Sequence, residues 1–352
     1  MKISLTSKSL LLYCLTLAIL CMLWLALDPT YSQPLKGIPT SLTVIKPQKV
    51  WDWSVGNYNV EEMLAKVSPI HKEHCRRMLT KSTYLPAKET WSQGYQDWYI
   101  YYNYFEGPFF LRQCTHTKKK KKKGKTDGVY VDMGANVPFK LSNTAFFDVC
   151  LGWKGICVEP SYHSVEFEAN RTCTVAKHCM YSRSQKLVMS AAEDISQILQ
   201  PRNDIEELKK LNKAFECDGI SAKDLLNKYP AKNKLGEITS LAVDYNLNKT
   251  ALAAQPKIDI DFISLDIEGS EVELLRCFPF DHYRIKVWSI EVNKNEILID
   301  EIMLAHGYVK ETYLTFYMNG LDAVYVWKPR VMKEPWKEEQ RAHWKRYKRC
   351  EP

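Results

Sequence analysis

Short runs of apolar and β-branched residues alternate along the chain with amphipathic stretches. The runs have the composition of buried strands, and the stretches have the spacing of helices that cover a sheet. This alternation predicts an α/β fold with a doubly wound sheet. The predicted strands are Val129–Val131, Gly155–Val158, Cys173–Ala176 with an extension at Leu187–Met189, Ile258–Ile267, Val287–Val292, Tyr308–Glu311 and Ala323–Trp327. The predicted helices include Val60–Val67, His71–Leu79, Tyr162–Asn170, Val272–Phe278 and Ile297–His306.

The first strand of this sheet leads into a glycine turn. Asp132 ends the strand, Gly134-Ala135-Asn136 forms the turn, and Ser142-Asn143-Thr144 can cap the next helix. Strand, turn and helix form the first unit of a nucleotide-binding α/β fold. Pro138 departs from the G-x-G-x-x-G fingerprint, and no P-loop lysine follows. An acid beside such a turn favours a cationic or uncharged ligand over a pyrophosphate, and S-adenosylmethionine, a sulfonium, is such a ligand.

Carboxylates also follow three other predicted strands. Glu159 lies 27 positions after Asp132, where this fold places the acid that accepts hydrogen bonds from a ribose diol. A helix cap is the alternative role for Glu159. Asp266 and Glu268 lie at the end of the strand Ile258–Ile267, and Glu291 lies at the end of the next strand. Because parallel strands present their carboxyl ends at one edge, we expect these acids to lie close together.

The positive charge of the chain is concentrated in one place. The 352 residues carry a formal charge of +8, and Lys118–Lys123 with Lys125 supply most of it. The segment 118–127 is therefore predicted to be a solvated lysine-rich loop. Because no other basic cluster with interleaved aromatic residues exists, the sequence does not predict a nucleic-acid partner.

An apolar stretch near the N-terminus predicts a membrane anchor. Leu10–Leu27 contains no charge and is long enough to span a bilayer as a helix of about 27 Å. Lys2 and Lys8 precede it, which predicts a cytosolic segment 1–9 and a type II, single-pass protein with its main domain in the lumen of the Golgi or endoplasmic reticulum. A cleaved signal peptide is the competing interpretation. The proline-containing segment 28–58 is predicted to be a stem.

A luminal domain would permit disulfides and glycosylation. Nine of the eleven cysteines lie outside the anchor, and Cys173–Cys179 or Cys75–Cys114 could pair, although spacing proves neither. The triplets that begin at Asn170 and Asn248 have the N-x-T pattern of glycosylation acceptors. No C-x-x-C occurs and the histidines do not cluster, so a zinc site is not predicted and no metal ligand is assigned.

Three further segments lie beside or within the predicted main domain at 128–328. The segment 59–117 combines short helices with an aromatic stretch at Trp91–Phe105 that we expect to pack on the main domain. The polar segment 191–236 has a helical pattern at Asp204–Phe215 and Ala222–Tyr229, and is predicted to be a helical insertion or lid. The segment 329–352 is predicted to be a basic tail.

Four blocks between about residues 90 and 328 resemble the FkbM-type S-adenosylmethionine-dependent methyltransferases, in the eukaryotic membrane-anchored, Star-like branch. The blocks are Ser92-Gln93 with Gln96-Asp97; Val131–Asn136 with Leu141–Thr144; Leu151–Gly155 with Val158-Glu159-Pro160 and Asn170-Arg171; and Ser264–Glu271. The resemblance implies a Rossmann-like class I methyltransferase sheet whose last strand runs antiparallel, and methyl transfer to oxygen, often of a sugar. Pro138 departs from the family pattern, because glycine is usual there.

The resemblance implies a site made of the acids at the strand ends. Methyl transfer to a hydroxyl requires a base, and the motif blocks contain no histidine, so we expect Asp266, then Glu268 or Glu291, to accept the proton. Capping of the next helix by Asp266 and Glu268, or a divalent cation held by the acids, are open alternatives. A catalytically silent luminal binding or cargo-escort protein is the rival function, and the expected acceptor is a glycan or glycoconjugate. The predicted cofactor-binding residues are Asp132, Gly134, Ala135, Asn136, Ser142, Asn143, Thr144, Glu159 and Asp266.

Overall fold

A computed structural model describes residues 60–80, 90–105, 125–191, 196–199, 204–292, 295–315 and 321–328. The predicted anchor at 10–27, the stem at 28–58, the lysines at 118–123 and the tail at 329–352 lie outside the described residues. Within the described ranges, no helix has the length and apolar character needed to cross a membrane.

A mixed central sheet organises the described part of the chain. The strands are β1 (Val129–Met133), β2 (Lys154–Val158), β3 (Thr174–Ala176), β4 (Cys179–Met180), β5 (Lys186–Ser190), β6 (Ala214–Ile220), β7 (Ala231–Lys232), β8 (Ile238–Thr239), β9 (Ile258–Leu265), β10 (Tyr283–Glu291), β11 (Tyr308–Thr315) and β12 (Leu321–Trp327). The sheet order is β11-β12-β10-β9-β1-β2, and β2 also pairs with β3 and with the hairpin β7–β8.

Strands β3, β2, β1, β9 and β10 are parallel, whereas β12 runs antiparallel to both β10 and β11. The predicted α/β fold is therefore confirmed, with the last strand antiparallel. Because β1 and β9 are adjacent and parallel, Asp132 and Ser264 lie side by side in register. The antiparallel pairing of β10 with β12 likewise sets Glu291 opposite Asp322.

Helices cover the sheet and connect its strands. They are α1 (Val60–Leu64), α2 (Pro69–Thr80), α3 (Gln96–Ile100), α4 (Ser164–Asn170), α5 (Ile205–Lys210), α6 (Ala222–Lys228), α7 (Lys249–Ala254), α8 (Glu271–Cys277) and α9 (Glu296–Ala305), with π-helical segments at Tyr101–Phe105 and Phe146–Cys150. The segment after the glycine turn is thus π-helical, and its N-cap is Ala145, which makes no side-chain capping bond. The Ser142 hydroxyl instead accepts the Ala145 N–H in the loop before this segment.

Alternate residues of each central strand enter two separate hydrophobic clusters. On β1, Val131 faces a cluster that includes the helices α8 and α9, while Tyr130 faces the opposite one. The structure places the aromatic segment in the second cluster, where Tyr101 contacts Phe146 edge to face with ring centroids 5.2 Å apart. The sheet is therefore buried on both faces, and its free positions for chemistry are the strand ends.

Two predicted elements differ in the structure. Lys186–Ser190 does not extend the third strand, because β5 belongs to a separate three-stranded sheet with the order β4-β6-β5. The middle of the segment 191–236 is also not helical, since β6 occupies Ala214–Ile220 between α5 and α6. Exposed Glu216 and Asp218 alternate on β6 with the buried Cys217. This alternation has a strand period that the overall polarity of the segment concealed.

Three disulfides have both of their cysteines among the described residues, and they join separate elements of the fold. They link Cys75 to Cys150, Cys157 to Cys173, and Cys179 to Cys217, and Cys277 is disulfide-bonded as well. The possible pairs Cys173–Cys179 and Cys75–Cys114 are therefore wrong. The strand pairings bring Cys157 of β2 beside the start of β3, and Cys179 of β4 beside β6.

Candidate functional site

A cavity of about 870 Å³ lies at the carboxyl ends of β1, β2, β9 and β10. All five acids predicted at strand ends line it, which are Asp132, Glu159, Asp266, Glu268 and Glu291. Gly134, Ala135, Asn136, Ser142 and Asn143 line it as well. Thr144 does not, because it is fully buried behind the wall. The small sheet forms another side of the cavity through apolar residues, including Met180, Met189 and Phe215.

The glycine turn after β1 is shaped by its neighbouring strand. Gly134 has a φ of 89°, and a Cβ there would lie only 1.7 Å from the Asp266 carbonyl oxygen. The N–H groups of Gly134 and Ala135 both donate to the Val158 carbonyl. Glycine is thus required because the backbone after β9 approaches the turn after β1 closely. This requirement exists in addition to the predicted binding of a ligand beside the turn.

Asp132 organises the wall of the cavity. The Thr144 hydroxyl donates to the Asp132 carboxylate at 2.5 Å, and the carboxylate is 3% exposed. Burial raises the pKa of Asp132, and the hydrogen bond from Thr144 opposes that rise. This side chain therefore holds the segment that begins at Ser142 in place.

Arg171, which was not predicted as a site residue, fixes the same segment from behind. Its guanidinium forms a buried ion pair with Asp148, with 2.6 Å between Nε and Oδ2. It also donates to the Pro138 carbonyl at 2.7 Å, to the Thr144 hydroxyl at 2.8 Å, and to the hydroxyls of Ser142 and Tyr130. The bond to Pro138 anchors the loop at the position where this chain departs from the family pattern. Arg171 belongs to the motif block that contains Glu159, and its presence in that block could have marked it as a site residue.

Glu159 joins the loops that follow β1 and β2. One carboxylate oxygen accepts the Asn136 N–H at 2.8 Å, and the other accepts the Ser161 N–H at 2.8 Å. Burial raises the pKa of Glu159, and these hydrogen bonds oppose the rise. Because each carboxylate oxygen has two lone pairs, both retain capacity to accept a hydrogen bond from a ligand.

The carboxylate oxygens of Asp266 and Glu291 lie within 4.8 Å of one another, so these two side chains form an acidic pair. Burial and then the charge of Glu291 raise the pKa of Asp266 well above its usual range, and the charges of Asp322 and Glu268 add to this. Burial, followed by the charges of Glu268 and Glu271, raises the pKa of Glu291 to about 8. Two carboxylates this close raise each other's pKa, because the charge of one disfavours ionisation of the other.

Four residues around this pair were not predicted as site residues from the sequence. Gln96, 2% exposed, donates to the Asp322 carboxylate at 3.1 Å, and Ser289 donates to the same oxygen at 3.0 Å. Burial raises the pKa of Asp322 to about 6. Glu271 accepts the N–H groups of Ile267 and Gly269, and so shapes the loop that carries Glu268. Gln96 belongs to the first of the four motif blocks, whereas Asp322 belongs to none of them.

The residues of the cavity fit a cationic ligand. The described residues that line it include no lysine or arginine. The Asn143 amide N–H donates to Ser264 at 3.0 Å, while its buried carbonyl oxygen has no partner among the described residues and is available to a donor. The carboxylate oxygens of Asp266, Glu271 and Glu291 lie within 4.8 Å of one another and could also hold a hard divalent cation.

Comparison with known proteins identifies the family. The Methyltransferase FkbM domain matches residues 132–310, which is just over half of the chain. No curated protein matches the chain. Among solved structures, the chain is similar to the METTL16 MTase domain in crystal form 2 at 13% identity and a TM-score of 0.26, with 57% of this chain and 60% of that chain covered.

A second METTL16 MTase domain structure aligns at 12% identity and a TM-score of 0.30, over 78% of this chain and 83% of that one. Precorrin-6y C5,15-methyltransferase from Geobacter metallireducens GS-15 aligns at 13% identity and a TM-score of 0.25, over 57% and 82%. At these TM-scores the similarities carry no argument about the site. The family match extends from β1 to β11 and includes the acids at the strand ends. A domain of this family implies methyl transfer. The chain belongs to the methyltransferase FkbM domain family.

Proposed function

We propose that the protein is an S-adenosylmethionine-dependent O-methyltransferase of the secretory pathway that methylates a hydroxyl group of a glycan or glycoconjugate. The observation that carries this proposal is the pair of neighbouring carboxylates Asp266 and Glu291 at the end of an acidic cavity. Its volume of about 870 Å³ lies within the usual range for small-molecule sites and leaves room for a cofactor beside an acceptor.

The cavity residues divide into a binding group and a reacting group. Glu159 is proposed to accept hydrogen bonds from the ribose diol, and the free Asn143 carbonyl to accept one from the cofactor's amino group. The cofactor supplies an electrophilic methyl group on a sulfonium. Transfer of that methyl group to the acceptor oxygen would release S-adenosylhomocysteine, and Asp266 is proposed to accept the hydroxyl proton.

The raised pKa of the pair suits this proton transfer. An ordinary aspartate is a weak base, whereas a carboxylate whose pKa lies near the working pH accepts a proton more effectively in the transition state. Burial and neighbouring acids raise the pKa values of Asp266 and Glu291 in that direction. A divalent cation held by Asp266, Glu271 and Glu291 would instead favour their ionised forms.

The secretory location rests on three independent features. The disulfides of the structure are typical of oxidising compartments. Leu10–Leu27 has the length and flanking charges of a type II anchor, as in the membrane-anchored Star-like branch. The sequon asparagines Asn170 and Asn248 are both exposed, so a glycan could be attached to either.

Calorimetry of the full-length protein in detergent with S-adenosylmethionine and S-adenosylhomocysteine tests the proposal. Glu159→Ala should weaken binding by about ten- to hundredfold, equivalent to about 1.5–3 kcal/mol, because a charged hydrogen-bond acceptor is lost. Glu168→Ala, on the exposed face of α4, is the matched control and should bind as the parent does. Tight binding by a folded Glu159→Ala variant would leave this carboxylate with only its loop-capping role.

The rival function is a silent binding or cargo-escort protein on the same scaffold. Pro138 favours it, because proline removes an N–H donor from the loop after Asn136. Transfer of a labelled methyl group to glycoprotein or glycan extracts distinguishes the two functions. Cofactor binding without transfer to any fraction would support the escort function.

A further inference from the structure

The reacting end of the cavity carries an excess of negative charge. Besides the pair Asp266 and Glu291, the charges of Asp322, Glu268 and Glu271 act on it, as shown by the rise in pKa that they cause. No lysine or arginine among the described lining residues balances them. An anionic group that enters this end of the cavity would therefore meet carboxylates without a compensating lysine or arginine among the described lining residues.

Neutral hydrogen-bonding groups flank these acids. Gln96 lines the cavity and is fixed by two bonds, since its carbonyl accepts the Gly94 N–H at 2.7 Å and its amide donates to Asp322. Gln93 lines the rim and is exposed. Carboxylates accept hydrogen bonds from hydroxyl groups, and amides donate to hydroxyl oxygens as well as accept from them. This set of side chains matches a surface dense in hydroxyls.

We infer that the acceptor is an uncharged sugar, and that sugars carrying a carboxylate, sulfate or phosphate beside the reacting hydroxyl are rejected. This inference rests on the proposed methyl transfer and specifies its substrate class. An anionic group placed about 6 Å from one unbalanced carboxylate loses roughly a hundredfold in kcat/KM, by Coulomb's law at an effective dielectric constant of about 20. A neutral hydroxyl at the same place suffers no such repulsion.

Matched pairs of acceptors test the inference with the full-length protein. Each pair contains the aryl glycoside of a neutral hexose and the corresponding uronide, which differ only in the carboxylate. With labelled S-adenosylmethionine, the neutral member should show a kcat/KM at least about tenfold above that of the uronide. Equal or faster methylation of the uronide would overturn the inference while leaving methyl transfer intact.

A charge change at the rim gives a second readout that does not touch the reacting pair. Gln93→Lys should raise the uronide-to-neutral ratio of kcat/KM by several-fold, and the matched Gln93→Glu should lower it. Equal ratios in the two variants would contradict an electrostatic origin of the preference. If no glycoside is methylated, the binding of each pair to the S-adenosylhomocysteine-loaded protein is measured instead. Binding of the neutral member alone supports the inference, and any other result refutes it. Failure to bind S-adenosylmethionine at all would instead refute the proposed function.

Discussion

Replacement of Arg171 by methionine is the perturbation whose effect the structure defines most fully. The guanidinium is completely buried and makes an ion pair with Asp148, which is also buried. It also donates to the Pro138 carbonyl and to three hydroxyls, those of Ser142, Thr144 and Tyr130. Methionine fills similar space but leaves the Asp148 carboxylate buried without its cation.

The expected loss follows from that unpaired charge. Removing one partner of a buried ion pair costs about 3–5 kcal/mol, because the remaining charge cannot be solvated. For a domain of this size such a loss lowers Tm by roughly 6–20 °C. Arg284→Met is the control, since Arg284 also pairs with an aspartate, Asp259, but does so on the surface. An exposed pair contributes about 1 kcal/mol or less.

Thermal and urea unfolding of the full-length protein, followed by circular dichroism, measures both variants. The double variant Arg171→Met with Asp148→Asn removes the orphaned charge, so its loss should be smaller than the sum of the two single losses by about 2 kcal/mol. A loss below 1 kcal/mol for Arg171→Met, or strict additivity in the double variant, would refute the reasoning that this charge pair holds the wall.

Three other predictions concern the site itself. Asp266→Asn should reduce methyl transfer by about a hundredfold or more, while the Kd for S-adenosylhomocysteine changes little; equal losses in both would make Asp266 a cofactor or metal ligand instead. Glu291→Gln removes a like charge that raises the pKa of Asp266, so the rising limb of the pH–rate profile should move to lower pH, and an unmoved limb would contradict their coupling. Gly134→Ala should destabilise the fold by at least about 2 kcal/mol and abolish cofactor binding in calorimetry, because its Cβ would meet the Asp266 carbonyl. Gly152→Ala is the control, since Gly152 also has a positive φ of 68° but has open space around it, and only the conformational cost of about 1–2 kcal/mol should remain.

The sequence was sufficient to predict which acids meet at the sheet edge. Glu159, Asp266 and Glu291 each follow a recognisable strand, and parallel strands necessarily present their carboxyl ends together. Asp322 could not be predicted in the same way, because it arrives on the antiparallel strand β12 and meets Glu291 only through the register of that pairing. Local pattern contains no information about such a register.

The remaining misses have a similar physical origin. Arg171 donates hydrogen bonds to β1, to the loop at Pro138 and to Ser142, which precedes the π-helical segment. These acceptors lie up to 41 positions from Arg171 in the chain. The cysteine partners were equally undetermined, since the pairing of Cys179 with Cys217 depends on the adjacency of β4 and β6. Secondary structure is encoded largely within short windows, whereas these contacts depend on the assembled fold.

The disulfide between Cys75 and Cys150 has a consequence for handling the protein. It joins α2 to the π-helical segment across a stretch of chain that contains Lys118–Lys123, six consecutive positions after which trypsin can cut. A molecule nicked there remains one covalent unit, and migrates as a single band until a reductant is added. Intactness on a non-reducing gel is therefore no measure of an uncut chain, and preparations should be compared with and without thiol before activities are assigned to them.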